Sequence, residues 1–223
     1  MMLQFINDYG ILLAENTVDT LYMSLFSTLF SYVLGLPMGV LLYTTKEGGI
    51  LENRKFNAVF GWVVNIIRSF PFIILIVTIM PVTRRVVGKA IGPSAAIFPL
   101  TVGAAPFVAR MAETSLEEID IGVIEACQSM GAKPLTIIGV LLSESLPSLI
   151  RGLSITAITL IGYSAIAGAV GAGGLGDIAI RYGYHRRIES VMWVSVALII
   201  LIVCILQKSF DIIARKCDRK NII

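Results

Sequence analysis

The sequence contains little charge, and this scarcity excludes most classes of soluble protein. Of its 223 residues, 15% are charged and 56% are hydrophobic, and the mean hydropathy is +0.84. Soluble domains carry about 25% charged residues. A chain this apolar is predicted to be an integral membrane protein, and its length fits one domain. The formal net charge of +3 is too small to indicate a nucleic acid as partner.

Residues for metal or covalent chemistry are also scarce. Cys127, Cys204 and Cys217 show neither metal-ligand nor redox spacing. The one histidine, His185, lies beside two arginines, which is typical of a solvated loop. We therefore expect no metal site, no bound cofactor and no catalytic centre in this chain.

The usual phosphate-binding pattern, G-x-x-x-x-G-K-[ST], is absent from the sequence. The stretch GAGGLG at residues 171–176 does match G-x-G-x-x-G. Dinucleotide-binding folds place that pattern after a strand, and no strand pattern precedes it here. We interpret it as a tight extracellular turn whose small residues let helices or a partner approach closely. If ATP drives this protein, another polypeptide must hydrolyse it.

The N-terminus lacks the features of a cleavable signal peptide. The first 19 residues contain Asp8, Glu15 and Asp19 but neither lysine nor arginine. The apolar run that follows is too long for a signal core. We expect residues 1–16 to form a short extracytoplasmic segment and the following run to remain as a membrane span.

Five apolar stretches are predicted to cross the membrane, which takes about 20 residues for about 30 Å of hydrocarbon. They cover residues 20–45, 56–83, 90–109, 152–176 and 190–207. Pro37, flanked by glycines, is expected to kink the first. None of the five predicted stretches contains Asp or Glu. The predicted fold class is therefore an all-α integral membrane protein with five transmembrane helices.

The positions of the basic residues predict the orientation of these spans. With the N-terminus outside, twelve basic residues are cytoplasmic: Lys46, Arg54, Lys55, Arg68, Arg110, Lys133, Arg151, Lys208, Arg215, Lys216, Arg219 and Lys220. Six are then external: Arg84, Arg85, Lys89, Arg181, Arg186 and Arg187. Cytoplasmic loops are enriched in Lys and Arg, so we expect an external N-terminus and a cytoplasmic C-terminus. Residues 209–223 would form a basic cytoplasmic tail that meets anionic lipid headgroups.

The segment 110–152 would then lie in the cytoplasm, and it contains strong helix boundary signals. Asp120 is expected to cap a first short helix, because its carboxylate accepts backbone N–H groups. Gly131 is expected to end that helix in the left-handed conformation. Pro134 is expected in the first turn of a second helix, where its missing N–H costs little. The segment therefore predicts two short helices that meet at a fixed corner.

Two further patterns belong to this segment. One apolar stripe on the first short helix is expected from three- and four-residue spacing: Val123, Ala126, Cys127 and Met130. Ser145 and Pro147 repeat the start signal before the fourth span. The corner would serve either as a mechanical handle for another protein or as a hairpin that packs only on its own chain. The residues alone leave both interpretations open.

The stretch EACQSMGAKP at residues 125–134 resembles the EAA loop of ABC importer permeases. That pattern reads Glu-Ala-Ala, three residues, Gly, nine residues, Ile, one residue and Leu-Pro. Glu125, Ala126 and Gly131 match it in place, and Cys127 replaces the second Ala. The Leu-Pro end does not match at the counted position, which holds Ser143-Glu144, so the exit from the second short helix departs from the family pattern.

The resemblance extends over residues 17–208 and points to permeases for methionine uptake. Four stretches are similar to that subfamily: GLPMGVLLY (35–43), NIIRSFPFIILI (65–76), PLTVGAAPFVARMAE (99–113) and GYSAIAGAVGAGGLGDIAIRYGY (162–184). The resemblance implies the type I ABC importer permease fold, with a coupling loop at about residues 113–147. It also implies that this chain is a transport subunit and not an enzyme.

The resemblance implies partners and a location as well. Two copies of the permease would pair, and each would dock on a separate ATPase subunit that binds ATP and Mg²⁺. An external binding protein would deliver methionine, in D and L forms, to the permease, which would move it across the bacterial cytoplasmic membrane. The coupling contacts to the ATPase subunit would come from six residues: Glu125, Ala126, Cys127, Gly131, Ala132 and Pro134.

Three residues are candidates for the substrate pathway. Arg68 is the one clear charge within a predicted span, and such residues are costly and often functional. It is expected early in the second span, where it either extends to the cytoplasmic interface or forms a structural pair, or instead lines the pathway. Tyr163 and Ser164, in the fourth span, are expected to face the same pathway.

Other functions stay open on the residues alone. A secondary transporter driven by protons or sodium is disfavoured, because such carriers place carboxylates or His within their spans. A membrane scaffold would explain the cytoplasmic handle but not the repeated Gly and Pro breaks in the spans. Within the importer interpretation, the substrate could also be another small amino acid or an unrelated solute.

Overall fold

The computed structural model describes residues 2–217, which are helices and turns without a strand in that range. The α-helices of this range are α1 Met2–Thr45, α2 Arg54–Ser69, α3 Phe72–Thr78, α4 Met80–Val87, α5 Pro93–Glu117, α6 Ile121–Ser129, α7 Pro134–Glu144, α8 Leu146–Gly168, α9 Gly174–Ile178 and α10 Glu189–Cys217. A π-helical segment, Ala179–His185, follows α9. The all-α prediction is confirmed.

Four helices within residues 2–217 are long and apolar enough to cross a membrane: α1, α5, α8 and α10. The pair α2 and α3 meets the same criterion together but is bent by 97°. Counting that pair as one broken span gives the five spans that the sequence predicts.

The second predicted span, residues 56–83, is not one helix. The chain breaks at Phe70 and Pro71, and both residues have extended backbone, with ψ of 127°. Proline has no N–H, and it disfavours helical backbone in the residue before it. The apolar character of this stretch continues through the break, so hydropathy alone does not reveal it.

The first and last spans are longer than the sequence predicts. α1 runs from Met2 through Pro37 to Thr45, so the expected extracytoplasmic segment 1–16 continues into the same helix over its described part. Glu15 and Asp19 therefore lie on a candidate membrane-spanning helix, although the first predicted span, residues 20–45, contains neither Asp nor Glu. α10 continues to Cys217, and residues 218–223 of the predicted tail lie outside the described range.

α1 and α5 pack closely because α1 has glycines on the contact face. A Cβ at Gly35 would come within 2.6 Å of the carbonyl oxygen of Ala105. A Cβ at Gly39 would come within 2.5 Å of the carbonyl oxygen of Ala109. Small residues allow two helices to approach this closely in a membrane. The two glycines therefore bring the backbones of α1 and α5 close together.

The glycine-rich stretch 171–176 turns the chain back onto α8 and α1. Gly173 and Gly174 have φ of +83° and +79°, which favours glycine. The N–H of Leu175 then donates to the hydroxyl oxygen of Thr20 at 2.9 Å. The interpretation of this stretch as a tight turn with close packing is confirmed.

Two of the four buried hydrophobic clusters in the described residues lie beside the candidate site. The first, here called the central cluster, lies where α1, α3, α5 and α8 meet, and it comprises Met23, Phe72, Ile76, Ala96, Leu100, Ala104, Leu160, Ala167 and Ala172. The second, here called the coupling-end cluster, comprises Tyr43, Leu116, Cys127, Ile137 and Leu141. The second cluster joins the ends of α1 and α5 to the short helices α6 and α7.

Candidate functional site: a helical corner and the groove behind it

The first short helix begins as the sequence predicts. Asp120 is the N-cap of α6, and its carboxylate accepts a hydrogen bond from the N–H of Gly122 at 2.7 Å. The carbonyl oxygen of Asp120 accepts from the N–H of Val123 at 3.0 Å. These bonds use backbone groups that a helix start otherwise leaves unpaired.

The corner between α6 and α7 is closed by paired backbone hydrogen bonds. Gly131 has φ of +72°, as predicted, and its N–H donates to the carbonyl of Gln128 at 2.9 Å. The N–H of Ala132 donates to the carbonyl of Cys127 at 3.0 Å. This pair of bonds defines the Schellman motif. Pro134 then occupies the first turn of α7, as predicted.

The inner face of the corner is anchored in the coupling-end cluster. Cys127 is buried there with Ile137 and Leu141 of α7, and they pack against Leu116 at the end of α5. The four residues of the predicted apolar stripe, Val123, Ala126, Cys127 and Met130, differ in exposure. Cys127 is buried, but Ala126 and Met130 are exposed. The spacing rule gives the period of a helix but leaves open which of two adjacent faces is covered.

The outer face of the corner exposes large apolar side chains. Ile121, Met130 and Leu135 are 70%, 77% and 81% exposed. The predicted coupling residues Glu125 and Ala126 are exposed on the same short helix. Of the other coupling residues, Gly131 and Pro134 are also exposed, Ala132 is half-buried, and Cys127 is buried. Exposed apolar side chains grouped on a projecting corner are typical of a protein–protein contact.

α8 begins where the sequence predicts a helix start, with Ser145 at the N-cap position and Pro147 in the first turn. α7 ends at Glu144, and Leu146-Pro147 opens α8 directly after Ser145. The Ser145 hydroxyl makes no cap to α8 and donates to the carbonyl of Leu142 at 3.4 Å. The chain does contain a Leu-Pro pair, but it lies three residues after the position at which the EAA pattern expects one.

Behind the corner, three adjoining cavities form a groove. The innermost, of about 220 Å³, lies between α2, α3, α5 and α8 and is here called the aromatic pocket. It shares Arg68 and Phe107 with a middle cavity of about 410 Å³. The middle cavity shares four lining residues with a third, of about 360 Å³: Ser115, Glu118, Ser148 and Arg151. The third cavity borders the start of α6 and the end of α7, so the groove leads from the centre of the spans to the base of the α6–α7 hairpin.

The aromatic pocket combines one cation, two stacked rings and hydroxyl groups. Arg68, Phe72, Thr159 and Tyr163 all line it. The rings of Phe72 and Tyr163 stack with centroids 4.4 Å apart and an angle of 3° between their planes. On the side away from the corner, this stack merges with the central cluster, which fills the space between the helices.

The structure places the three predicted pathway residues differently from one another. Arg68 and Tyr163 line one pocket, as expected. Ser164 is buried, is not among the pocket-lining residues, and donates to the carbonyl of Ile161 at 2.7 Å. Neighbouring residues on a helix point in different directions, so Tyr163 and Ser164 do not share one face. Arg68 lies in the last turn of α2 rather than early in a span.

A second arginine, which the sequence reasoning did not single out, fastens α2 to α5. Arg110 forms an ion pair with Glu113 at 2.7 Å, and it donates to the Asn65 side chain at 3.2 Å and to the carbonyl of Gly61 at 3.1 Å. The i,i+3 spacing of Arg110 and Glu113 was the sequence feature that could have predicted this ion pair. No cluster of three or more metal-ligating side chains occurs among residues 2–217 that are described.

The chain matches a family model over residues 10–222, described as "Binding-protein-dependent transport system inner membrane component". It is 51% identical over 210 residues to the "Probable D-methionine transport system permease protein MetI" of Vibrio cholerae, covering 94% of this chain and 93% of that one. It is 48% identical to the "Methionine import system permease protein MetP" of Bacillus subtilis, covering 92% of each.

A solved structure is similar throughout. It describes inward facing conformations of the MetNI methionine ABC transporter, and the TM-score is 0.94 at 49% identity. The match covers 95% of this chain and 99% of that chain. With ten α-helices in the described range, a projecting helical corner and a full-length family match, this chain belongs to the binding-protein-dependent transport system inner membrane components and is the permease subunit of a transporter.

Proposed function

We propose that this chain is the permease subunit of an ABC importer that moves methionine, in D and L forms, across the bacterial cytoplasmic membrane. The relatives at about half identity carry D-methionine transport or methionine import in their names. The observation that carries the proposal is the corner at Gly131. It projects apolar side chains outward while its inner face is fixed to the ends of α1 and α5.

This arrangement suits force transmission to the spans. A partner that moves the outer face, at Met130 and Leu135, displaces α6 and α7 together, because the Gly131 corner is closed by hydrogen bonds. The displacement reaches α5 through Leu116 and Leu141. In this proposal the partner is an ATPase subunit that binds ATP and Mg²⁺. Two permease copies pair, each with one ATPase subunit.

The proposed orientation has the N-terminus outside and the C-terminus in the cytoplasm. The groove runs from the aromatic pocket toward the corner, and the central cluster closes its other end. With the corner in the cytoplasm, this conformation is open to the inside. An external binding protein would deliver the substrate to the opposite end, near the glycine-rich turn.

Co-purification tests this proposal. The tagged chain, isolated in mild detergent from its own host membranes, should bring down an ATP-binding subunit in equal amount. In proteoliposomes with that subunit and the binding protein, methionine uptake should require ATP. A chain that purifies alone, even after crosslinking at residues 125–139, would contradict the proposal. Uptake driven by a proton or sodium gradient without ATP would favour a secondary transporter instead.

A further inference from the structure

We propose that the aromatic pocket is a binding subsite for one zwitterionic amino acid with an apolar side chain. Arg68 would bind the carboxylate, and the stacked rings of Phe72 and Tyr163 would contact the side chain. This inference rests on the proposed import function and names where the substrate is held within the membrane domain. It concerns binding by this chain itself, apart from the external binding protein.

The cation of the pocket has no partner in the part of the chain that the structure describes. Arg68 forms neither an ion pair nor a hydrogen bond there, and no Asp or Glu lines the aromatic pocket. Arg110, in the adjoining cavity, is by contrast fully engaged with Glu113, Asn65 and Gly61. A charge within a membrane domain normally faces a partner or a pathway. The planar guanidinium of Arg68 matches the two oxygens of a carboxylate.

The apolar part of the pocket fits a thioether or a similar aliphatic chain. The stacked rings of Phe72 and Tyr163 line the cavity together with Leu75 and Phe107. Sulfur makes favourable contacts with aromatic rings. The volume of about 220 Å³ is below the roughly 300–1,000 Å³ of pockets for drug-sized ligands, as expected for one small solute.

A hydroxyl in the pocket is available for an ammonium group. The Thr159 hydroxyl donates its proton to the carbonyl of Ile155 at 2.8 Å. A hydroxyl oxygen that donates in this way keeps lone pairs that accept hydrogen bonds. Thr159 can therefore accept from the α-ammonium of a substrate whose carboxylate is held by Arg68.

The composition of the pocket also predicts which amino acids are excluded. With Arg68 occupied by the α-carboxylate, a second carboxylate, as in glutamate, has no cation left within the pocket lining. A lysine side chain would meet no acidic group there. An uncompensated charge in an apolar site is costly, so methionine and leucine should bind and glutamate and lysine should not.

Fluorine NMR of trifluoromethionine tests this subsite without the binding protein. The permease is prepared in nanodiscs together with its ATPase subunits, and the ATPase subunit alone is the blank. Ring currents of Phe72 and Tyr163 should shift the trifluoromethyl signal of the bound probe. Glutamate should not displace the probe, whereas methionine should.

Three variants assign the contacts. Arg68→Gln should weaken probe binding about 10- to 100-fold, since it removes a charge-assisted pair. Tyr163→Leu should keep residual binding but show a smaller ring-current shift, because the ring of Phe72 remains. Arg84→Gln removes one exposed charge at the other end of the molecule and is the control, with binding unchanged. Assembly with the ATPase subunits should be normal for all three variants, which excludes misfolding as the cause.

Two results would overturn the proposal. One is the absence of a shifted signal in the wild-type complex above the ATPase blank. The other is equal probe binding by wild type and Arg68→Gln, which would assign Arg68 to a lipid phosphate or a structural role. Uptake assays separate this failure from that of the import function. If only the subsite is wrong, wild type and Arg68→Gln import methionine equally; if the import function is wrong, neither imports it.

Discussion

Two sharp bends between helices in this chain are held in different ways. At the Gly131 corner, the N–H groups of Gly131 and Ala132 close hydrogen bonds of 2.9 and 3.0 Å, and the inner face is buried. At the 97° bend between α2 and α3, the N–H of Phe70 donates to the carbonyl of Ile67 at 3.3 Å. Pro71 has no N–H to donate. The Gly131 corner lies on the surface where the proposed ATPase subunit would bind. The bend between α2 and α3 borders the aromatic pocket.

The two bends suit different roles in a permease. A bend that transmits displacement must keep its angle, and paired hydrogen bonds on a buried cluster provide that stiffness. The bend at Pro71 is set by backbone sterics and has fewer bonds to resist a change of angle. We therefore expect substitutions at the corner to affect coupling and stability, and substitutions at Pro71 to affect substrate handling.

Removing the anchor under the corner should have the largest effect. Leu141 is 1% exposed, so Leu141→Ala should lower the free energy of unfolding by about 2–5 kcal/mol. Leu135→Ala is the matched control on the outer face, 81% exposed, and should change stability by less than about 0.5 kcal/mol. Thermal unfolding in detergent measures both, and equal losses would show that the inner face is no anchor.

Straining the corner itself should come next. Gly131→Val places a β-branched residue at φ of +72° and should cost about 1–2 kcal/mol. No atom lies within 4 Å of a Cβ built at Gly131, so the strain is purely conformational. Gly131→Asn is the control, because asparagine tolerates this backbone better. Melting temperatures of the three proteins should rank wild type, Asn, then Val; a Val variant as stable as wild type would contradict the left-handed corner.

The cap of α6 should contribute less than the corner. Asp120→Ala removes the acceptor for the Gly122 N–H and should cost about 1 kcal/mol. Asp120→Asn keeps an acceptor oxygen and should cost little. Hydrogen exchange of the α6 amides should speed up in the Ala variant alone. Unchanged exchange in that variant would show that the cap does not limit local opening.

The smallest effect on stability is expected at the second bend. Pro71→Ala restores an N–H and should lower stability by about 0.4–1 kcal/mol, since proline restricts the unfolded chain. Because Pro71 borders α3, which carries Phe72, we expect a changed KM for uptake in the variant. Pro93→Ala, at the start of α5, is the control and should leave KM unchanged. Equal KM values for Pro71→Ala and Pro93→Ala would show that the bend at Pro71 does not affect substrate handling.

Local signals made the corner predictable from sequence. Asp120, Gly131 and Pro134 each act on backbone groups within a few residues of themselves, so their effects need no knowledge of the fold. The break at Pro71 also had a local signal, but the uninterrupted apolar run around it suggested a continuous span. The start at Met2 and the end at Cys217 were missed because polar residues extend a helix beyond the hydrocarbon.

The groove could not be predicted from local signals. Its lining comes from α2, α3, α5 and α8, which only the tertiary structure brings together. Arg68 was found because a charge within a span is unusual. Tyr163 and Ser164 were taken together, although a helix turns by about 100° per residue and cannot present both to one cavity. The engagement of Arg110 with α2 depends on a contact 49 residues away.

We propose that the Gly131 corner couples ATP hydrolysis by the partner subunit to movement of the spans. The most direct test is the number of methionine molecules imported per ATP hydrolysed, in proteoliposomes that contain the permease, its ATPase subunit and the binding protein. We expect Gly131→Val to insert and still assemble but to import far less methionine per ATP, while Gly131→Asn stays near wild type. A ratio in Gly131→Val equal to that of wild type would contradict the claim.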